Sequence, residues 1–152
     1  MFFGKKKGIF APVTGEFVPL EEVSDPVFAQ KMMGDGVAII PEADEISSPV
    51  TGIVTTVIEQ KHALGLKMAG GQEILVHMGI DTVELQGEPF EILVNQGDSV
   101  EVGTPLARMN RQEIAAKGKD TVVLVIVTGQ ELASHKFTVR THVQKGTELG
   151  KV

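Results

Sequence analysis

The sequence predicts an all-β domain, an antiparallel sandwich or barrel with a few short helices. Short segments rich in Val, Ile and Thr recur along the chain, as expected of half-buried strands. Turn residues, drawn from 17 Gly and 7 Pro, separate these segments, about every 8 to 12 residues, which is typical of sandwiches and barrels. Two short motifs also occur twice, which indicates an internally duplicated unit.

Seven strands and two helices can be placed on the sequence. One helix begins at Asp25, an N-cap followed by proline at the first helical position, and ends at Gly34. The other opens at Asn110, with Glu113 three residues later as in a capping box, and ends at Gly118. The predicted strands span residues 8–12, 15–19, 37–41, 52–58, 72–77, 121–128 and 136–141.

The duplicated motifs indicate a repeated strand–turn–strand unit. Ala11-Pro-Val-Thr-Gly15 returns as Ser48-Pro-Val-Thr-Gly52, and the segment 94–103 is echoed by residues 143–150. A length of 152 residues suits one domain. We therefore expect a flexible N-terminal tail over residues 1–8 and a single domain over residues 9–152.

Composition and charge exclude several classes of function. The chain has no Cys, which excludes thiolate catalysis, disulfides and Cys-ligated metals. The formal net charge of −6 disfavours binding to nucleic acid or to an anionic membrane. Lys5, Lys6 and Lys7, behind two Phe residues, predict at most peripheral membrane contact. With neither a secretory signal nor an apolar stretch of roughly 20 residues, we expect a cytoplasmic protein.

Two of the four histidines flank a hairpin pattern. His62 and His77 are joined by two apolar-rich arms that meet at Ala69-Gly70-Gly71. A two-residue loop at residues 69–70 sets His62 opposite His77, and a loop at residues 70–71 offsets them by one diagonal on the same face. An odd-length loop would place them on opposite faces of the sheet. We expect an even loop and a shared face.

Two facing imidazoles suit phosphoryl transfer. One can attack phosphorus through a neutral nitrogen, while the other donates a hydrogen bond to the phosphoryl oxygens. The second nitrogen of the nucleophile needs a fixed acceptor, and the carbonyl of Gly79, two residues beyond His77, is a candidate. The same pair could ligate zinc. Two core histidines with satisfied hydrogen bonds are the remaining interpretation.

Longer stretches resemble a known family. His77-Met-Gly-Ile-Asp-Thr-Val-Glu-Leu85, preceded by Glu73-Ile-Leu-Val, resembles the active-site signature of the glucose-type enzyme IIA family of the bacterial sugar phosphotransferase system. Three further motifs match in order and spacing, over a resemblance that covers about residues 9–152: Ala11-Pro-Val-Thr-Gly15, Gly34-Asp-Gly-Val-Ala-Ile39 and Lys61-His62-Ala63.

The resemblance implies both a fold and an activity. The fold is an antiparallel sandwich of duplicated hybrid motifs. The activity is that of a phosphotransferase without a cofactor, which accepts phosphate from the phosphohistidine of HPr and passes it to a IIB domain of a sugar transporter. His77 is then the residue phosphorylated on its tele nitrogen, and His62 the auxiliary that stabilises the transferring group. Some members also regulate other proteins, so regulatory partners are a further expectation.

The resemblance also implies a docking face around the histidines. Its expected residues are Asp25, Val27, Phe28, Met32, Met33, Ile58, Leu75, Asp81, Val83 and Glu84. The sequence departs from the family at Gln60, where members often have a hydroxyl residue that hydrogen-bonds the imidazoles. We expect the Gln60 amide to make such a bond with a different reach.

Two other classes of protein compete with this interpretation. The spacing of His77 and Asp81 fits the first metal motif of LytM-type zinc peptidases, but the His-x-His element of that family is absent. A lipoyl or biotinyl carrier is suggested by the hairpin pattern over residues 97–103, but Lys67-Met68 lacks the flanking residues of a modified lysine. We expect no required metal, although His62 and His77 could hold adventitious zinc.

Overall fold

A computed structural model describes residues 7–152, and its elements are mostly short antiparallel strands. Within these described residues, the α-helices are α1 (Pro26–Ala29) and α2 (Arg111–Ala116), and 3₁₀ helices span Leu20–Glu22 and Thr82–Leu85. The strands are β1 (Gly8–Phe10), β2 (Gly15–Val18), β3 (Gly34–Pro41), β4 (Glu45–Ser47), β5 (Gly52–Val57), β6 (Ala63–Met68), β7 (Glu73–Ile80), β8 (Phe90–Ile92), β9 (Ser99–Val100), β10 (Pro105–Met109), β11 (Asp120–Thr128), β12 (Ser134–His135), β13 (Thr141–Val143) and β14 (Glu148–Lys151). The all-β prediction is confirmed.

The strands form one large sheet and two small ones. The large sheet has the order β13-β2-β3-β11-β7-β6-β5-β9, and the small sheets have the orders β1-β14-β12 and β4-β10-β8. Side chains from all three sheets share the main core, which includes Ile9, Ile46, Leu66 and Val125. The main core therefore lies between the large sheet and the two small ones.

The opposite face of the large sheet carries a second, smaller apolar cluster. Alternate residues of β11 divide between the two faces, with Val123 and Val125 in the main core and Leu124 and Ile126 in the second cluster. His77 pairs with Leu124 across the β7–β11 ladder. This register puts His77 on the face of the second cluster, beside the segment that contains α1.

The repeated motifs bind one another with a matching set of hydrogen bonds. Ala11 N–H donates to the Thr147 carbonyl at 2.8 Å, and Ser48 N–H donates to the Thr104 carbonyl at 2.7 Å. Gly146 N–H returns to Ala11, as Gly103 N–H returns to Ser48. The duplication is thus visible in the backbone. In the second element these bonds align Gly146 and Thr147 with Gly103 and Thr104, at the end of the segment 94–103 that the sequence compared with residues 143–150.

The structure differs from the predicted bounds of the N-terminal tail and of both helices. Residues 1–6 of the predicted tail lie outside the described residues, and Gly8, also assigned to the tail, begins β1. The helix expected over residues 25–34 ends at Ala29, because Lys31 has a left-handed φ of 59° that a right-handed helix cannot continue. The second helix is shorter than predicted. Half of the expected capping box is present: Glu113 N–H donates to the Asn110 side chain at 3.0 Å, but Asn110 N–H donates to the Pro89 carbonyl at 2.8 Å.

The strand predicted over residues 136–141 is wrong. The chain leaves β12, which pairs with β14 in a small sheet, and joins the large sheet at β13, which pairs with β2. Residues 136–140 cross between the two sheets, so no continuous ladder can form there.

The predicted hairpin loop is also wrong. Ala63, rather than His62, pairs with His77, and the loop has three residues, 69–71. Met68 N–H donates to the Gln72 carbonyl at 2.9 Å, and Gly71 has φ 93°. Three-residue hairpin loops with glycine in the left-handed position are a common class. Two adjacent glycines made both even loops plausible, but the left-handed position falls on the second glycine.

Gly79 lies near the end of β7, opposite a bulge in β11. Its φ is 80°, and the β7–β11 register shifts between Asp120 and Val123. A Cβ at this position would collide with the Thr82 methyl group and lie 2.8 Å from the Asp120 carbonyl oxygen. Both the left-handed backbone and the lack of space therefore require glycine.

Replacing Gly79 should cost more stability than replacing a turn glycine with the same backbone. We expect Gly79→Ala to lower the free energy of unfolding by about 3 kcal/mol, from left-handed strain plus overpacking. Gly71→Ala is the matched control, because Gly71 has φ 93° and nothing within 4 Å of an added Cβ. We expect it to lose only about 1 kcal/mol. Urea unfolding measures both, and equal losses would show that the Thr82 and Asp120 contacts do not matter.

Candidate functional site

The ring of His77 is fixed by a hydrogen bond to its own strand end. Its Nδ1 lies 2.7 Å from the carbonyl oxygen of Gly79. A carbonyl can only accept, so Nδ1 carries the proton and donates it, which leaves the lone pair on Nε2. The left-handed conformation of Gly79 turns this carbonyl back toward the ring. The structure therefore provides the acceptor that the sequence suggested.

His62 and His77 lie side by side, although the predicted strand register that would have paired them is wrong. The two ring centroids are 5.1 Å apart and the rings meet edge to face at 81°. His62 immediately precedes β6 and follows Lys61, whose φ is 64°. Met78 N–H donates to the His62 carbonyl at 2.8 Å. Because His62 stands outside the regular strand, strict alternation of faces does not apply to it.

Little of His62 is exposed to solvent. The residue is only 8% exposed. Its Nδ1 is buried and has no hydrogen-bond partner in the described part of the chain. The Gln60 side chain was expected to support it. Within residues 7–152, no hydrogen bond joins Gln60 to either imidazole.

Phe28 also packs on His77, on which His62 packs as well. The Phe28 and His77 ring centroids are 5.0 Å apart, with planes tilted by 59°. Phe28 was expected on the docking face, but it is only 6% exposed and belongs to the second core cluster. It is therefore a wall of the His77 site rather than part of an open surface.

Burial governs the charge of both histidines. Burial, followed by the neighbouring His62, lowers the pKa of His77 to about 4, against the opposing effects of the Gly79 carbonyl, Asp25 and Asp81. Burial also lowers the pKa of His62. Both rings are neutral near pH 7, because desolvation disfavours the charged imidazolium.

Two carboxylates bring negative charge near His77: Asp25 precedes the histidines in the sequence, and Asp81 follows them. The Asp25 side chain caps α1 by accepting from Val27 N–H at 2.8 Å. Asp81 has a left-handed φ of 59° and precedes the 3₁₀ helix Thr82–Leu85. Each raises the pKa of His77, but less than burial lowers it.

Sequence reasoning missed Thr82. Its fully buried hydroxyl donates to the Met78 carbonyl at 2.6 Å. This bond closes the turn that holds Gly79 and hence the acceptor of His77. A hydroxyl residue directly after a turn-forming Asp was the available signal.

Several of the apolar residues expected on the docking face are exposed. We use the name docking surface, after that expectation, for Val27, Met32, Met33 and Val83, whose exposed fractions are 41%, 70%, 38% and 44%. The Met pair is thus outside the core. Ile58 and Leu75 are half-buried and line a groove of about 240 Å³. Glu84 is exposed and pairs with Lys119 at 2.9 Å.

The described residues offer little to a metal ion. Across residues 7–152, no group of three or more His, Asp or Glu side chains is placed to hold a metal. His62 and His77 would supply two ligands, whereas catalytic zinc sites usually have three from the protein. The described chain also contains no helix long and apolar enough to cross a membrane.

Relatives with a known assignment match most of the chain. The family described as phosphoenolpyruvate-dependent sugar phosphotransferase system, EIIA 1, matches residues 7–133. A "PTS system glucose-specific EIIA component" of Staphylococcus aureus (strain COL) is 49% identical over 138 residues, covering 87% of this chain and 83% of the relative. The protein of the same description from Staphylococcus epidermidis strain RP62A is 46% identical over 135 residues, covering 85% and 81%.

A solved structure agrees with these sequence matches. The structure "glucose permease IIA from Mycoplasma capricolum" superposes with a TM-score of 0.84 at 32% identity, covering 94% of this chain and 93% of that one. The fold, the paired histidines and the matched relatives converge on one assignment. The chain belongs to the EIIA 1 family of the phosphoenolpyruvate-dependent sugar phosphotransferase system, in which it is a phosphotransferase that carries phosphoryl groups between other components of that system.

Proposed function

We propose that His77 carries the phosphoryl group on Nε2, taking it from the phosphohistidine of HPr and passing it to a IIB domain of a sugar transporter, with His62 as the auxiliary residue. The observation that supports this most directly is the 2.7 Å contact between His77 Nδ1 and the Gly79 carbonyl. It fixes the tautomer in which Nε2 is the nucleophile.

The transfer needs no proton to be removed from His77. The lone pair on Nε2 forms the new N–P bond as the N–P bond of the donor phosphohistidine breaks and its electrons return to the donor ring. The His77 ring becomes positively charged, and its Nδ1–H then donates a stronger, charge-assisted hydrogen bond to Gly79. Asp25 and Asp81 stabilise the same positive charge at longer range.

His62 is placed to assist the phosphoryl group rather than to carry it. Its Nδ1 is enclosed, so Nε2 is the nitrogen that can meet an incoming group. An N–H at that position would donate to phosphoryl oxygens where charge develops, which is the usual source of stabilisation in such transfers. With one buried nitrogen and no carbonyl partner, His62 lacks the fixed tautomer of His77.

The docking surface suits protein partners that must exclude water from the reacting histidines. Clustered exposed apolar side chains are typical of interaction sites, and adaptable Met side chains suit a carrier that meets more than one partner. Because relatives are named glucose-specific, we propose that the acceptor serves a glucose transporter. A phosphoryl group adds about −1.5 to −2 charges to this face, which gives any regulatory partner a way to distinguish the two forms.

Variants of the two histidines test the assignment of roles. After incubation with phosphoenolpyruvate, enzyme I and HPr, we expect one acid-labile phosphate on His77 Nε2, located by mass spectrometry and ³¹P NMR. His77→Ala should accept none. His62→Ala should accept phosphate but pass it to a IIB domain at least about 100-fold more slowly, because it loses a transition-state donor. His142→Ala, an exposed histidine elsewhere, is the control. Phosphate on His62 alone would contradict the proposal.

The depressed pKa of His77 should make stability depend on pH. As the pH falls, the imidazole of the unfolded chain, with a pKa near 6.5, takes up a proton at a higher pH than the folded one, whose pKa is about 4. Stability is therefore lost as the pH falls from about 6.5 toward 4. Between pH 7 and pH 5 we expect wild type to lose about 1 to 2 kcal/mol more than His77→Gln in urea unfolding. Parallel losses in the two proteins would show that the His77 pKa is not depressed.

A charge placed on the docking surface should weaken partner binding. We expect Met32→Glu to raise the KM for phospho-HPr about 10-fold, because a charge buried on complex formation must be desolvated without a partner. Val139→Glu is the matched control, since Val139 is 67% exposed and lies outside the docking surface. Equal KM values for the two variants would place the binding face elsewhere.

A further inference from the structure

A buried carboxylate lies behind the docking surface. Asp35, at the start of β3, is only 5% exposed. Its Oδ1 accepts from Gly36 N–H at 2.8 Å, and its Oδ2 accepts from Leu132 N–H at 3.1 Å and from His135 Nε2–H at 2.8 Å. Lys31 Nζ lies 3.5 Å from Oδ1. The Lys31 ammonium, the His135 imidazole and two backbone amides thus all contact the Asp35 carboxylate.

These contacts keep the carboxylate charged despite burial. Burial alone raises the pKa of Asp35, but the hydrogen bonds from Leu132, His135 and Gly36 together lower it below its ordinary value. A buried ion with several partners contributes little net stability compared with apolar packing, and its better-supported role is to select one arrangement of the chain. The question is which arrangement Asp35 selects.

The chain around Asp35 is the segment that carries the docking surface. Lys31 has its left-handed φ of 59° here, and its N–H donates to the Phe28 carbonyl at 3.0 Å. Gly129 N–H donates to the Met33 carbonyl at 2.9 Å. Residues 31–35 are therefore attached to residues 129–135 on one side and to Phe28, which packs on His77, on the other.

We propose that His135 and Asp35 are positioning residues for docking, which hold residues 26–33 so that Phe28 packs on His77 and Met32 and Met33 face the partner. The order of contacts is His135 to Asp35, Asp35 to Lys31, and Lys31 through the backbone to Phe28. This inference rests on the proposed function, because it concerns how the same site receives its partners.

Position and surroundings distinguish this role from core packing. His135 lies on the edge strand β12 with its side chain 32% exposed, and residue 135 falls beyond the 7–133 range of the family match. A cavity of about 160 Å³, lined in part by Lys31, His135 and Phe137, adjoins the contact. The backbone of His135 is held by the β12–β14 ladder, whereas the hydrogen bond that its side chain makes within the described residues is the one to Asp35.

Three histidine variants separate positioning from stability. His135→Ala removes the donor, and His135→Gln keeps an amide N–H able to reach Asp35. His142→Ala is the control, because His142 Nε2 contacts Glu42 at 3.1 Å with both side chains about half exposed. Steady-state phosphorylation by phospho-HPr gives kcat and KM. Methyl NMR of Met32 and Met33 reports the position of the docking segment in the free protein.

We expect His135→Ala to raise the KM about fivefold, the equivalent of one hydrogen bond, with kcat within about twofold of wild type. His135→Gln should restore the KM to within about twofold, and His142→Ala should match wild type. The Met32 and Met33 methyl signals should shift in His135→Ala only. An unchanged KM, or a raised KM without methyl shifts, would overturn the proposal.

The two proposals fail separately. If wild-type protein takes no phosphate on His77, the proposed function fails, whereas the methyl signals still show whether His135 positions Met32 and Met33. As a second variant, Asp35→Asn keeps the shape of the carboxylate but removes its charge, and should shift the same signals. Unmoved signals in both His135→Ala and Asp35→Asn would overturn the positioning role whatever the phosphorylation result.

Discussion

The site depends on the peptide group of Gly79. Its carbonyl can reach His77 Nδ1 only because the backbone at Gly79 is left-handed and β7 departs there from its regular pairing with β11. Thr82 closes the following turn by donating to the Met78 carbonyl. This one irregularity in the β7–β11 ladder therefore sets the tautomer of His77 and the direction of the Nε2 lone pair. In the proposed transfer, the Gly79 carbonyl would also be the group that accepts a hydrogen bond from the positively charged ring.

The electrostatics around His77 combine opposing effects of unequal size. Two carboxylates and one carbonyl favour the imidazolium, yet burial and His62 outweigh them. The reason is distance and solvent: Asp81 is exposed and Asp25 partly so, and charges in contact with water are screened. The resting ring is therefore neutral and nucleophilic. In the proposed transfer, the ring becomes positively charged while Nδ1 keeps its proton. The same carboxylates then stabilise that charge without having protonated the ring beforehand.

Much of this arrangement could be predicted from the sequence, and the failures have physical causes. Strand composition and turn spacing predicted the fold class, and the carbonyl of Gly79 was a correct candidate because it lies two residues from His77. Loop parity gave the wrong register, since a hydrophobic pattern does not show which of two adjacent glycines takes the left-handed position. Phe28 was misplaced because an apolar residue on a short helix can face either core or solvent, and only the tertiary contact with His77 decides.

The two histidines meet at the end of the hairpin opposite the loop. Met78 is the common support: its N–H binds the His62 carbonyl, its own carbonyl accepts from Thr82, and it follows His77 directly in the chain. His62 is thus attached to the strand that carries His77 at the end opposite the loop. The left-handed φ of Lys61 turns the chain just before it. The bond from Met78 to the His62 carbonyl continues the β6–β7 register one residue beyond Ala63, and the turn at Lys61 lets the His62 ring lie beside His77. The two imidazoles therefore meet although the ladder does not pair them, and the wrong register prediction still placed them side by side.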